Sequence, residues 1–353
     1  MADPMTIATP EHLRRMPKVE LHCHVEGAAR AATIMELAAR NDVTLPVDDL
    51  NELFPFANLD EFLAVALIFC GTLRTADDFH RITYEALEDG AAAGVRYREM
   101  FFSPSFAIEA GIPLEVVWAG IKAGIRDART DLGIGCRMIL GFDKSWPVEH
   151  AVEMAVFAGR EPDRDLMIGL GGDSVEKGID YTTFAPAYEE ARRHGLRCTV
   201  HAGEDGPPDN IRIAIEQLQC ERIDHGCRLI EDPDLTAQVA DLRIPLTVCP
   251  TSNVLIANAA PDVRSHPYGA LRRAGVLATL NPDNPGMLRN DIAEEYATVA
   301  EAYGYSLDDM EQISLDGIEG SWAPDDEKAT RRREFLAEFD ALRLEYGLPP
   351  RLG

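Results

Sequence analysis

The chain has 353 residues, 46% hydrophobic and 27% charged, with a formal net charge of −26 from 34 basic and 60 acidic side chains. A surface of that sign repels phosphate backbones, so no nucleic-acid partner is expected and a polyanionic small substrate is disfavoured. No apolar run approaches the ~18–20 residues that span a bilayer, so no membrane partner is expected either.

The opening segment Met1–Met16 is polar and lacks the apolar centre of a secretory signal. The seven cysteines have no Cys-x-x-Cys spacing, which fits free thiols in a reducing compartment. A soluble cytoplasmic protein, monomer or homo-oligomer, is the expectation.

The first predicted strand is 18–24, Lys18-Val19-Glu20-Leu21-His22-Cys23-His24. Side chains at i and i+2 share a face of a strand, so His22 and His24 point one way and Cys23 the other. Further strands are predicted at 95–102, 136–142, 166–171, 197–202, 221–225, 245–249 and 276–281. Helical patterns fill 30–41, 76–93, 114–132, 148–158, 182–194, 209–218, 233–240 and 266–274. Strands alternating with helices imply a parallel sheet, and eight such units imply a closed (β/α)8 TIM barrel, which takes ~250 residues or more as one unit. One domain over residues 1–353 is therefore expected.

Two segments exceed the barrel. About 70 residues separate the first two strands, too many for one loop. Within this insertion (about 45–80), Leu53 to Leu73 is apolar enough to form an extra helical layer, and its place after strand 1 predicts a lid over the active-site end. The tail, about 290–345, reads as charged helices, with Arg331-Arg332-Arg333 as a solvated face.

In such a barrel, catalytic groups sit at the C-terminal ends of strands. His22 and His24 end strand 1, His201 ends strand 5, His225 ends strand 6 and Asp283 ends strand 8. The other histidines (His12, His80, His150, His194 and His266) fall elsewhere and read as structural or surface residues. Three imidazoles and a carboxylate make a mononuclear metal site that keeps a position for water, whose pKa falls to ~7 there. Glu204, three residues after His201, stands where it can move protons. No lysine stands at a strand end to bridge two metals. A Gly-x-Ser-x-Gly elbow, a P-loop and the His-x-Glu…Pro-Cys-x-x-Cys signature are all absent.

The runs Pro17-Lys18-Val19-Glu20-Leu21-His22-Cys23-His24-Val25-Glu26-Gly27-Ala28, His201-Ala202-Gly203-Glu204, Asp224-His225-Gly226, Cys249-Pro250-Thr251-Ser252-Asn253 and Asn281-Pro282-Asp283 together resemble the adenosine/adenine deaminase family of metal-dependent aminohydrolases. The resemblance runs from about Pro17 to Pro285, in order. It implies one zinc ion per chain held by His22, His24, His201 and Asp283. It implies that Glu204 protonates the ring nitrogen beside the amine-bearing carbon, and that His225 orients the attacking hydroxide. It also implies that the Gly172 N–H meets a purine ring nitrogen, and that Ser252 supports Asp283 from behind.

The substrate-reading positions depart from the pattern. The family usually has two consecutive aspartates where this chain has Asp283-Asn284, and Asn carries an acceptor and two donors without ionising. Glu26 stands where adenosine-type members carry Asp toward the ribose and adenine-type members carry Glu. After strand 3, Asp143-Lys144-Ser145-Trp146 lacks the usual Arg, and the strand 2 end, Phe101-Phe102-Ser103-Pro104-Ser105, blends both types. The resemblance implies hydrolytic deamination, with release of ammonia, of a small heterocyclic amine, an aminopurine or a nucleoside-like relative, and the departures predict that it is not plain adenosine. Glu26, Gly172 and Asn284 would be its contacts. Alternatives are hydrolysis of another heterocycle, yielding an alkylamine or opening a cyclic amide, and a catalytically silent binding barrel. Retention of Glu204 speaks against the silent barrel, because a binding protein needs no proton shuttle.

Overall fold

The computed structural model describes residues 8–351. Residues 1–7, the start of the Met1–Met16 segment, and the last two residues of the expected 1–353 domain lie outside the described residues. Eight parallel strands form one sheet in sequential order: β1 (Lys18–Glu20), β2 (Val95–Phe102), β3 (Gly135–Asp143), β4 (Met167–Asp173), β5 (Arg197–Ala202), β6 (Arg222–His225), β7 (Leu246–Val248) and β8 (Ala278–Leu280). With helices around the strands this is the expected (β/α)8 barrel.

Closure between β8 and β1 explains why β1 is shorter than predicted. Beyond Glu20 the chain leaves the regular ladder. The Leu21 N–H is taken by the Asn281 side chain at 2.7 Å. His24 N–H then donates to Asp283 O at 2.9 Å, and Asp283 N–H to His22 O at 3.2 Å. His22 and His24 thus sit just past the strand, held by single bridges to both neighbouring chain segments. Conversely, β4 runs two residues further than predicted, so Gly172 lies within the ladder, opposite Phe142 and Val200.

The helices follow their local signals. Thr75 and Asp78 form a reciprocal capping box for Ala76–Ala92, which satisfies otherwise orphaned N–H groups. Leu114–Leu132 ends at Gly133, whose φ of 69° is the left-handed stop a glycine accepts without strain. The predicted 182–194 helix divides into a 3-10 turn, Tyr181–Phe184, and an α-helix, Ala185–Arg193. Inside the barrel, Gly171 leaves room for the Phe101 ring: a Cβ there would lie 2.9 Å from Phe101 and 3.2 Å from Ile139 and Thr199. Phe101 thereby becomes the floor beneath the histidines, with ring centroids 5.1 Å from His22, 5.2 Å from His24 and 5.5 Å from His201.

The insertion after β1 contains a helix over Leu59–Cys70, and the tail forms helices over Ile292–Tyr303, Leu307–Gly320 and Asp325–Glu345. Arg332 and Arg333 are exposed as expected, but Arg331 is half-buried, its guanidinium 4.4 Å from the Tyr97 ring centroid. The opposite mouth of the barrel offers Arg331 an aromatic face that a helix read in isolation cannot anticipate. There Glu99 and Arg222 form a fully buried ion pair, and Arg222 also lies 3.8 Å over Trp322. Among the described residues no helix is long and apolar enough to cross a membrane.

Candidate metal centre and active site

The five strand-end groups converge. His22 Nε2 and His24 Nε2 each lie 3.4 Å from Asp283 Oδ1, and His24 Nε2 lies 3.2 Å from His201 Nε2. Ligand atoms of His22, His24 and Asp283 fall within 4.8 Å of one another, as do those of His22, His201 and His225. His22 Nε2 and Asp283 Oδ1 are buried without a hydrogen-bond partner, so two atoms aimed at the centre are unsatisfied by protein. Asp283 and His225 also hold positive φ values, 68° and 61°, a conformation that non-glycine residues adopt mainly where surrounding contacts impose it.

Protonation suits a cation. Burial holds His24 down to about 3 and also lowers His201 and His225. Burial would raise the Asp283 carboxyl, but His22 at 3.4 Å and the other facing imidazoles hold it well below the usual carboxylate range. Neutral imidazoles and an ionised carboxylate are the forms that ligate a metal, so the donor set fits one.

Asp224, quoted in the sequence motif without a role, organises the ring nitrogens that face away from the centre. Its Oδ1 accepts from Thr247 Oγ1 at 2.9 Å, and Thr247 Oγ1 in turn lies 2.9 Å from His22 Nδ1. Its Oδ2 accepts from Thr199 Oγ1 at 2.8 Å and lies 3.5 Å from His201 Nδ1. Such partners fix a ligand's tautomer and leave Nε2 bare. Ser252 Oγ donates to Asp283 Oδ2 at 2.6 Å.

Glu204 is buried, with Oε2 3.5 Å from His225 Nε2. Burial, then Asp283, Glu176 and Asp205, push its carboxyl well above the usual range, which favours the protonated acid. The loop that carries it hangs on Glu176, which sequence reasoning missed. Glu176 Oε1 accepts from the N–H groups of Glu204 (2.7 Å), Asp205 (3.2 Å) and Gly206 (3.2 Å). Its Oε2 accepts from Gly203 N–H (3.0 Å) and Asn210 Nδ2 (2.8 Å). Asn253 was also missed: its Nδ2 lies 3.0 Å from His225 Nδ1 and 3.5 Å from Glu204 Oε1.

A cavity of about 720 Å³, its mouth included, opens above the centre, within the ~300–1,000 Å³ of small-molecule sites. His24, His201, Glu204, His225 and Asp283 reach it, as do Glu26 and Asn284. The insertion helix supplies Leu59, Phe62, Leu63, Ala66 and Cys70 to its wall. Glu26 Oε1 accepts from Ser103 N–H at 2.9 Å, and burial pushes its carboxyl up to about 7. Asp173 pairs with Ser103 Oγ and is raised to about 8 by burial and by Asp143. Asn284 packs directly on Gly27, where any Cβ would overlap its amide.

Gly172 is not brought into the wall. It lies within β4 with its side-chain direction toward Phe142, Tyr188 and Val200, and Asp173 and Ser174 line the cavity at this point. Lys144 follows β3 directly but does not stand as a bridge between metals. Its Nζ donates to Ser174 O at 2.9 Å, so the ammonium is turned to backbone rather than to the centre. The remaining histidines keep structural or surface roles: His80 pairs with Asp127 and His194 with Glu190. All seven cysteines are free and buried.

A barrel with neutral imidazoles, an ionised carboxylate and a raised glutamic acid gathered at one mouth is a metal-dependent hydrolase, because that set both activates water and delivers a proton. The family model for adenosine deaminase matches residues 17–337. An adenine deaminase of Cupriavidus necator is 37% identical over 341 residues, spanning 95% of each chain. The crystal structure of an adenine deaminase from Arthrobacter aurescens superposes with a TM-score of 0.87 at 31% identity, covering 91% of this chain and 98% of the other. An amidohydrolase from Burkholderia ambifaria, with bound Zn, superposes with a TM-score of 0.88 at 32% identity, covering 96% of each. The chain belongs to the adenosine deaminase family. It is a metal-dependent hydrolytic deaminase acting on C–N bonds.

Proposed function

We propose that this enzyme is a zinc-dependent deaminase of the free base adenine. One zinc per chain would be held by His22, His24, His201 and Asp283. A donor set of three imidazoles and a carboxylate is a zinc-type set, and the Zn in the Burkholderia neighbour supports it. Bound zinc supplies Lewis-acid activation of a water at neutral pH. Glu204, whose carboxyl burial pushes up, would give its proton to the ring nitrogen beside the amine-bearing carbon and make that carbon more electrophilic. His225 Nε2, facing Glu204 Oε2, orients the incoming oxygen. The Asn284 amide, pressed on Gly27, meets the five-membered ring, and ammonia leaves as the carbonyl forms.

The observation that carries the choice of adenine is Glu26, whose carboxyl is fixed in the cavity wall by Ser103 N–H. Adenine carries a ring N–H on its five-membered ring, whereas adenosine carries a sugar there. A buried acceptor positioned for an N–H rejects a substrate lacking one, because the acceptor is left unpaired. The adenine deaminases among its relatives support the same choice. The chain is read as one domain with the Leu59–Cys70 helix as lid, acting in the cytoplasm, where its buried free thiols stay reduced. Ammonia release from adenine and adenosine tests the substrate, and elemental analysis tests the metal. Adenine should lead by at least ~100-fold in kcat/KM, with one zinc per chain. Parity of the two substrates would overturn the choice.

A further inference from the structure

We infer that Asn253 is a positioning residue: its amide holds His225 as the Nε2–H tautomer, which keeps His225 off the metal and makes it a hydrogen-bond donor into the cavity. This rests on the reading of Glu204 and His225 as the proton-handling pair. Position alone does not separate ligands from non-ligands here. The ring centroid of His225 is 4.5 Å from that of His22 and 4.8 Å from that of His201, and the ligand atoms of His22, His201 and His225, like those of the group holding Asp283, fall within 4.8 Å of one another. What differs is the partner on the far nitrogen.

His22 Nδ1 faces Thr247 Oγ1, whose proton is committed to Asp224 Oδ1. That oxygen must accept, so His22 carries its proton on Nδ1 and leaves Nε2 bare for a metal. His225 Nδ1 instead faces the Asn253 amide nitrogen at 3.0 Å. An amide nitrogen only donates, and a neutral imidazole has one N–H, so the His225 proton sits on Nε2. A protonated nitrogen has no lone pair for a metal, but it can donate to an oxygen. Adjacent rings thus carry opposite tautomers because their outer partners have opposite polarity. The same Nδ2 lies 3.5 Å from Glu204 Oε1, so one fully buried side chain touches both residues of the pair. Asn253 and Ser252 are neighbours on the short helix Pro250–Leu255, which places the support of Asp283 and of His225 on a single turn after β7.

The test is a long-range 1H–15N correlation spectrum of the metal-replete enzyme labelled with 15N-histidine, with His225 assigned by its loss in His225→Gln. The expected wild-type pattern is Nε2–H. Asn253→Asp, which replaces the donor by a nearly isosteric acceptor, should move the proton to Nδ1. It should also lower kcat about tenfold or more, with metal content and KM little changed. An Nδ1–H pattern in the wild-type enzyme, or Asn253→Asp retaining both Nε2–H and wild-type kcat, overturns the inference. The wild-type spectrum decides even if the variant does not fold. The spectrum needs no substrate, so a failed choice of adenine leaves it readable.

Discussion

Replacing Glu176 by Gln tests whether the loop carrying Glu204 is suspended from a single carboxylate. The wild-type side chain accepts from four consecutive backbone N–H groups and from Asn210. Burial would raise its carboxyl, but Lys144, Asn210 and the backbone donors outweigh burial and lower it, so the group is ionised and its hydrogen bonds are charge-assisted. A Gln in the same place keeps one acceptor oxygen. Turned toward Glu204, Asp205 and Gly206, it points its NH2 at the Gly203 N–H and at the Asn210 amide, which can rotate to present its oxygen. One buried N–H is orphaned at ~1–3 kcal/mol, and three others fall from charge-assisted to neutral bonds. The expected loss is about 3–5 kcal/mol after relaxation. At ~2 °C per kcal/mol for a large domain, the melting temperature should fall by about 6–10 °C. Because a displacement of about 1 Å in a catalytic group can cost ~10²-fold, kcat should fall by about 10–100-fold. Calorimetry of the metal-loaded protein and steady-state ammonia release read the two effects. A Gln variant within ~1 kcal/mol of wild type and unchanged in kcat would refute the idea that Glu176 positions Glu204.

Two further outcomes follow from the geometry. Asn284→Ala should lower kcat/KM for adenine by about 10–100-fold yet barely change it for 7-deazaadenine, which lacks the acceptor nitrogen the amide would meet; equal losses on both would remove Asn284 from ring recognition. His266 is buried and lowered from 6.5 to about 4 by desolvation, with Nδ1 accepting from Tyr268 N–H at 3.1 Å. Its depressed value means the unfolded chain binds more protons between those limits. Stability is therefore complete above the unfolded value and is lost as pH falls through the window toward about 4, by about 3 kcal/mol in all. His266→Asn keeps an acceptor for Tyr268 and should flatten this slope in urea titrations from about pH 7 to pH 4.5; an unchanged slope would assign it to other groups.

The barrel and its strand-end histidines were legible in the chain because each depends on a few adjacent residues. Short runs of β-forming residues, helix signals such as Thr75 with Asp78 and Gly133, and strand-end histidines all carry their meaning locally. His22, His24, His201, His225 and Asp283 converge because a parallel barrel brings the C-terminal ends of its strands to one mouth. The tertiary structure decided what stands behind them. Glu176 meets Gly203 to Gly206 across 27–30 residues of sequence, Asp224 reaches His22 through Thr247 of the neighbouring strand, and Asn253 reaches His225 from the turn after β7. These contacts depend on the register between strands and on loop geometry, which no local pattern specifies. The same reason accounts for β1 ending early at the barrel seam, for Gly172 facing the helical layer, and for Arg331 finding Tyr97. The strand-end histidines and Asp283 lay in the sequence, whereas the hydrogen-bond partners on their far sides came from neighbours that only the closed barrel brings into contact.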